Sequence, residues 1–180
     1  MTRPPARWAL FVLPVLLAGC ASSQAATSAG RSPAASSTPP ATAAMVCGHD
    51  ISTKVQQVLA LPAPPATDST WANSVFTCTY HLPVGPLTLS VHVLPDGAQA
   101  ARELDAGQAG TAGASPLAGL GERAWGTPAG TAVVLKDAQV LTVDATELPA
   151  VFGASGQKRT DLAYEVASDV MGCWTGDGDE

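Results

Sequence analysis

One passage constrains the fold of this 180-residue chain more than any other: "SVFTCTYHLPVGPLTLSVHVL", Ser74 to Leu94. Folded about Pro83 to Pro86, it pairs Leu82 with Leu87, Tyr80 with Leu89, Cys78 with Val91 and Phe76 with Val93, so that every pair on one face is apolar. The opposite face then carries Thr77, Thr79, His81, Thr88, Ser90 and His92. A segment of this kind is an antiparallel hairpin with one face on a core and the other toward water.

The flanking sequence fills in the domain around it. In "HDISTKVQQVLAL", Ile51, Val55, Val58 and Leu59 fall on one helical face, with Asp50 or Ser52 available as cap and Pro62, Pro64 and Pro65 ending the run. After a turn at Pro95-Asp96-Gly97, "AQAARELDA" reads as a short helix followed by a Gly- and Ala-rich loop from Gly107 to Gly121. "RAWGT", "TAVVLKD" and "AQVLTVDA" are strands, the last two pairing Leu135 with Val140 and Val133 with Thr142 across Asp137-Ala138. They are apolar at both alternations, which places them centrally. Thr160 or Asp161 opens a last helix whose stripe is Leu162, Val166, Val170 and Cys173 or Trp174. The expectation is a single α+β domain over residues 46–175, an antiparallel sheet of about five strands with two or three helices packed on one face.

The amino-terminal region reads differently. Arg3 and Arg7 precede the eleven-residue apolar run "WALFVLPVLLA", Trp8 to Ala18, and Gly19 and Cys20 follow: the charged, hydrophobic and small-residue parts of an export signal over residues 1–19. The run is shorter than the roughly 20 residues a helix needs to cross a bilayer, and Pro14 interrupts it. Leu17-Ala18-Gly19-Cys20 resembles the lipobox of bacterial lipoproteins, in which the signal is cut before the cysteine and the thiol takes a diacylglyceryl group. The resemblance implies that Cys20 is a lipid anchor, since two acyl chains suffice for stable attachment where one is marginal. From Ala21 to Ala44, 21 of 24 residues are Ala, Ser, Thr or Pro, and this stretch with Cys20 reads as a disordered tether over residues 20–45. Its ends would lie about 27 Å apart as a coil and about 75 Å apart when fully extended.

Charge excludes one class of partner. A chain beginning at Cys20 has seven basic against 15 acidic residues, a net charge of −8, which is unsuited to nucleic acid and to adhesion of the folded domain itself to anionic lipid. The expected partners are the membrane, through lipid on Cys20, and an envelope protein or small ligand.

With Cys20 assigned to the membrane, three thiols remain. An exported chain without Cys-x-x-Cys spacing suggests one structural disulfide. Cys47 with Cys78 is favoured, because Cys78 points into the core and Cys47 precedes the first helix. Cys78 with Cys173 and Cys47 with Cys173 remain alternatives.

No catalytic residue is assigned. His81 and His92 share a face, but His92 falls opposite Thr77, roughly 13 Å along the strand from His81, too far to share a metal ion. His49 falls beside the first helix cap. "GASGQ" lacks the strand-to-helix context of a nucleophile elbow, and "GLGER" that of a phosphate cradle. The acidic "TGDGDE", with the tail at 176–180, lacks the spacing of a calcium loop. No metal or cofactor is expected. Trp71, Trp125 and Trp174 are the candidate binding aromatics.

The succession of "VCGHDI", "FTCTYHLPVGPLTLSV", "GLGERAW", "VVLKDAQVLTVDA" and "CWTG" resembles the small cysteine-bearing lipoproteins of high-GC Gram-positive bacteria, whose exported domains have no assigned function. A third cysteine departs from the simplest two-cysteine pattern of that group. These features together imply a non-enzymatic lipoprotein on the outer face of the cytoplasmic membrane, with a cell-envelope hydrolase as the alternative. An enzyme would show a concavity where carboxylates, a His or a Ser converge, and a binding module an apolar groove without such convergence.

Overall fold

The computed structural model describes residues 38–153 and 156–174; the segment read as an export signal, Cys20, most of the segment read as a tether and the acidic tail lie outside them. A short helix α1 (Ala41–Ala44) runs into a 3₁₀ turn (Met45–Cys47) and helix α2 (His49–Val58). Three strands follow: β1 (Ala66–Ala72), β2 (Val75–Leu82) and β3 (Gly85–Val93). Helix α3 (Gly97–Gly110) leads to β4 (Ser115–Pro116), β5 (Arg123–Gly126), β6 (Thr131–Lys136) and β7 (Gln139–Asp144). A small hairpin, β8 (Val151–Phe152) and β9 (Gln157–Lys158), precedes the last helix α4 (Arg159–Trp174). Strands β1 to β7 form one antiparallel sheet in the order β1-β2-β3-β7-β6-β5-β4.

The α+β class is as expected, but the sheet has seven strands rather than about five. The additional strands are β1 and β4. "ATDSTWA" has no apolar alternation to announce β1, which pairs with β2 all the same, Trp71 opposite Phe76 and Thr67 opposite Tyr80. The turn between them is Asn73-Ser74, both at positive φ, which is the backbone that a two-residue hairpin requires.

The β2–β3 hairpin keeps the expected faces in a different register. Tyr80 pairs with Leu87, Cys78 with Leu89 and Phe76 with Val91, and Leu82 and Gly85 close a two-residue turn at Pro83-Val84. Gly85 permits this tight turn: its φ is +134°, and a Cβ there would lie 2.9 Å from the Glu147 carbonyl oxygen. Because the shift is two residues, the side chains stay on their faces, whereas a slip of one would have inverted them. The β6–β7 pairing, Leu135 opposite Val140 and Val133 opposite Thr142, is the one read from the sequence.

The helices cover both faces of the sheet rather than one. Against the first face, Ile51 and Val55 of α2 and Leu162, Val166 and Val170 of α4 join Tyr80, Leu89, Val134, Leu141 and Val143 in the main core. Against the other, Ala100 and Leu104 of α3 cover Trp125, Val133, Leu135 and Val140. The cause is in the strands: β6 and β7 are apolar at both alternations, and a sheet that is apolar on both sides must be covered twice. Helix α3 extends to Gly110, past the "AQAARELDA" segment. Asp96 caps it by accepting from the Gln99 amide at 2.7 Å, and Gly107 leaves room for the Trp125 ring, which a Cβ would approach to 3.2 Å.

The folded region also starts earlier than residue 46. Ala43 is fully buried, and the Thr42 side chain is hydrogen-bonded to Gln139 at 3.1 Å. Low-complexity composition conceals this helix, because alanine is equally at home in a tether and in a packed first turn. Nor does Asp50 or Ser52 cap α2: Gly48 occupies the cap position without a side-chain bond.

The entry segment is fastened to β2 at adjacent inward positions. Cys47 and Cys78 form a disulfide with their Cα atoms 5.5 Å apart, leaving Cys173 as the free thiol of the three. Two residues along β2, the buried Tyr80 hydroxyl donates to the Val46 carbonyl, and burial pushes that phenol well above its ordinary range. Tyr80→Phe leaves the buried carbonyl without its donor and should lower stability by about 1–2 kcal/mol. Removing the bridge by Cys47→Ser with Cys78→Ser should cost on the order of 3–4 kcal/mol, given the 31-residue separation it closes. Urea denaturation of each variant measures both, and an unchanged midpoint for Tyr80→Phe would show that the hydrogen bond contributes nothing.

Candidate functional site: an apolar groove and two polar hollows

Among the described residues, three concavities bear on function. The first lies where the end of α2, the β2–β3 turn and the β8–β9 hairpin meet. Leu59, Leu61, Leu82, Pro83, Val84, Phe152 and Gly153 line a groove of about 170 Å³. Every side chain in it is apolar. Among the described residues three large hydrophobic side chains are exposed, and two of them, Val84 at 40% and Val151 at 55%, belong to the segments that build this groove. Local sequence accounts for this. The Pro83-Val84 turn cannot turn both of its side chains inward, and Leu59 and Leu61 follow the end of α2 through Ala60, which is at positive φ.

The second hollow, about 450 Å³, is wider. It is lined by Gly119, Gly121, Glu122, Lys136, Ser168, Met171 and Gly172. Gly121 lies so close to β6 that a Cβ would fall 2.5 Å from the Leu135 carbonyl oxygen, so "GLGER" is a loop seated on the sheet. Its charges are used within the protein. The Glu122 carboxylate accepts from the Asp137 amide at 2.7 Å, Lys136 Nζ lies 3.0 Å from the Asp137 carboxylate, and Arg123 pairs with Asp105. The Arg123 hydrogen bond holds the Asp105 carboxyl below the usual carboxylate range. Ser168 and Lys136 share this hollow, but no hydrogen bond joins the hydroxyl to the amine. The arrangement therefore lacks the contact by which a base activates a nucleophile.

The third hollow, about 340 Å³, brings Cys173 of α4 beside His49, Asp50, Thr53 and Lys54 of α2. Burial, then the Asp50 and Asp169 carboxylates, push the Cys173 thiol up against the opposing pull of Lys54. A raised thiol pKa leaves little thiolate at neutral pH, contrary to what a cysteine nucleophile needs. Asp169 is itself pushed up by burial, again opposed by Lys54.

The sequence candidates are dispersed. Trp125, read as a binding aromatic, is a core residue: it is 5% exposed beneath α3, and its indole N–H donates to the Leu104 carbonyl at 3.2 Å. Trp71 and Trp174 are half-buried against the main core, and Trp174 donates to the Thr42 carbonyl at 2.9 Å. His81 and His92 lie farther apart than the expected register placed them. His92 falls opposite Val75, six strand residues from His81, or roughly 20 Å. Each meets its own carboxylate, His81 with Asp68 and His92 with Glu103, both at 2.7 Å. Among the described residues no group of three or more His, Cys, Asp or Glu side chains is arranged to hold a metal ion, and no helix is long and apolar enough to cross a membrane.

The apolar groove was not read from the sequence. Its residues come from three separate segments, and the one local signal is an apolar residue, Val84, at the tip of a hairpin where polar residues predominate. Comparison with protein-family models, with characterised proteins and with solved structures finds no match to this chain.

The Cys173 environment carries a pH prediction. Below its pKa, alkylation by iodoacetamide should be slow and should rise about tenfold per pH unit. At fixed pH it should quicken in Asp50→Asn, which removes a charge opposing the thiolate, and slow in Lys54→Ala, which removes the favouring one. Rates followed by mass spectrometry should fall in the order Asp50→Asn, unaltered protein, Lys54→Ala; the reverse order would contradict the charge assignment.

Proposed function

We propose that the chain is an exported lipoprotein, held on the outer face of the cytoplasmic membrane by lipid on Cys20, and that its domain is a non-enzymatic binding module for an envelope protein or small ligand. The observation that carries the binding reading is the groove of Leu59, Leu61, Leu82, Val84 and Phe152, which is open to solvent and has no polar side chain in its lining. Such a surface stays exposed at a cost in hydrophobic free energy that a ligand recovers on binding. At about 170 Å³ it is smaller than the roughly 300–1,000 Å³ of a drug-sized site, which suits a branched aliphatic side chain or a short acyl segment.

Two further features support export and anchoring. The Leu17-Ala18-Gly19-Cys20 string follows the charged and apolar regions in the order a lipoprotein signal requires, and the Cys47–Cys78 bridge suits an oxidising compartment. The entry helix α1 lies at the Val93–Gln139 end of the sheet, opposite the Leu82–Gly85 end that helps form the groove.

Intact mass of the membrane-extracted protein tests the anchor. Loss of the first 19 residues, an added lipid mass on Cys20 and a two-proton gain on reduction are expected, whereas an unlipidated species retaining Trp8 would contradict it. The groove is tested by fluorescence titration with N-phenyl-1-naphthylamine as an apolar probe. Val84→Asp puts a charge at the groove with little effect on a turn, and should weaken probe binding at least tenfold with an unchanged unfolding midpoint. Equal affinity in the variant would remove the groove as the binding site.

A further inference from the structure

Helix α4 opens on Arg159, a cation at the helix end that favours anions, so the helix itself does not account for this residue. Its guanidinium Nη1 donates to the Thr146 carbonyl at 2.9 Å and to the Leu148 carbonyl at 2.8 Å, and its backbone amide donates to the Ala150 carbonyl at 3.2 Å. Three alternate carbonyls of the segment between β7 and β8 are thus held by one residue. The reach has a cost: Arg159 Nε is buried and, among the described residues, has no hydrogen-bond partner. The stem of the side chain passes so close to Gly130 that a Cβ there would lie 2.8 Å from Arg159 Cγ.

The segment that Arg159 holds backs two of the three parts of the apolar groove. A Cβ on Gly85 would lie 2.9 Å from the Glu147 carbonyl oxygen and 3.3 Å from Leu148 Cδ2, so the turn that presents Pro83 and Val84 rests on Glu147 and Leu148. On the other side, Ala150 leads directly into β8, and its bond to the Arg159 amide adds a rung beside the Val151–Lys158 pair of the hairpin that presents Phe152 and Gly153. The third part, Leu59 and Leu61, arrives separately from the end of α2.

We propose that Arg159 is a positioning residue for the groove, its guanidinium fixing the spacing between the Pro83-Val84 turn and Phe152 through the carbonyls of Thr146 and Leu148. The inference rests on the reading of the groove as the binding site. Arg159 does not line the groove and touches no ligand there; it acts by keeping two walls in the one arrangement that binds. Walls that wander lower the population of that arrangement, and the apparent affinity falls in proportion.

Three variants of the full chain test this. Arg159→Met keeps an unbranched stem and removes the donors, whereas Arg159→Lys keeps a cationic donor and dispenses with Nε. Val133→Ala is the control, because it loosens the core under α3 on the opposite face of the sheet. With N-phenyl-1-naphthylamine as probe, and under conditions where each variant is folded, Arg159→Met should weaken binding about tenfold, the loss expected when the binding arrangement falls to about a tenth of the population. Arg159→Lys should recover most of that loss, and Val133→Ala should leave affinity unchanged. Hydrogen–deuterium exchange reads the positioning without a probe: Arg159→Met should accelerate exchange over residues 82–86 and 147–153 about fivefold more than in β6 and β7. Failure of the unaltered protein to bind the probe would remove the groove reading and leave the exchange pattern to decide the role of Arg159. Equal losses of affinity in Arg159→Met and Val133→Ala, or unchanged exchange at both walls, would overturn the proposal.

Discussion

The placement of α2, and with it the groove, depends on how the segment before α2 is held to the sheet. The Cys47–Cys78 bridge and the Tyr80–Val46 hydrogen bond act on neighbouring inward positions of β2, and between them they fix the direction in which α2 leaves. With that direction set, Ile51 and Val55 reach the main core beside α4, and Leu59 and Leu61 arrive where Leu82 and Phe152 complete the groove. A hydrogen bond this deep is worth having chiefly because the alternative is costly: a buried carbonyl without a donor loses its solvation outright. The covalent link removes that alternative by restricting how far the entry segment can separate from β2.

Much of the fold was legible because alternation survives errors of register. The β2–β3 pairing differs from the expected one by two residues, and every inward residue remained inward. The apolar character of Val133, Leu135 and Val140 on one side of the strands and Val134, Leu141 and Val143 on the other marked these strands as central, although its further consequence, a helix on each face, did not follow from composition. What escaped was structure made without apolar signal. Strand β1 is held by ladder hydrogen bonds from a polar sequence, and α1 by the buried Ala43 and the hydrogen bonds of Thr42 with Gln139 and Trp174, in a run that resembles a tether.

The site was less legible than the fold, for a physical reason. Aromatic residues draw notice in a sequence as potential binding surface, but Trp125 is large enough to be the natural filling for the space between α3 and the sheet. The groove is assembled from a helix exit, a turn and a two-residue hairpin, none of which has periodicity to read. Its recognition required the one fact a sequence withholds, which apolar side chains are left outside. The polar hollows teach the complementary lesson: residues of catalytic type meet there, but their charges are engaged with neighbours or, at Cys173, add to burial in pushing the thiol up.

The central claim is that the bridge positions α2 and through it the groove, while the sheet stands on its own packing. Hydrogen–deuterium exchange on oxidised and reduced protein tests it directly. Reduction should accelerate exchange in α2 and through Leu61 at least tenfold more than in β6, β7 and α4, whose protection falls only by the loss of global stability. Equal acceleration in α2 and across the sheet would contradict the account.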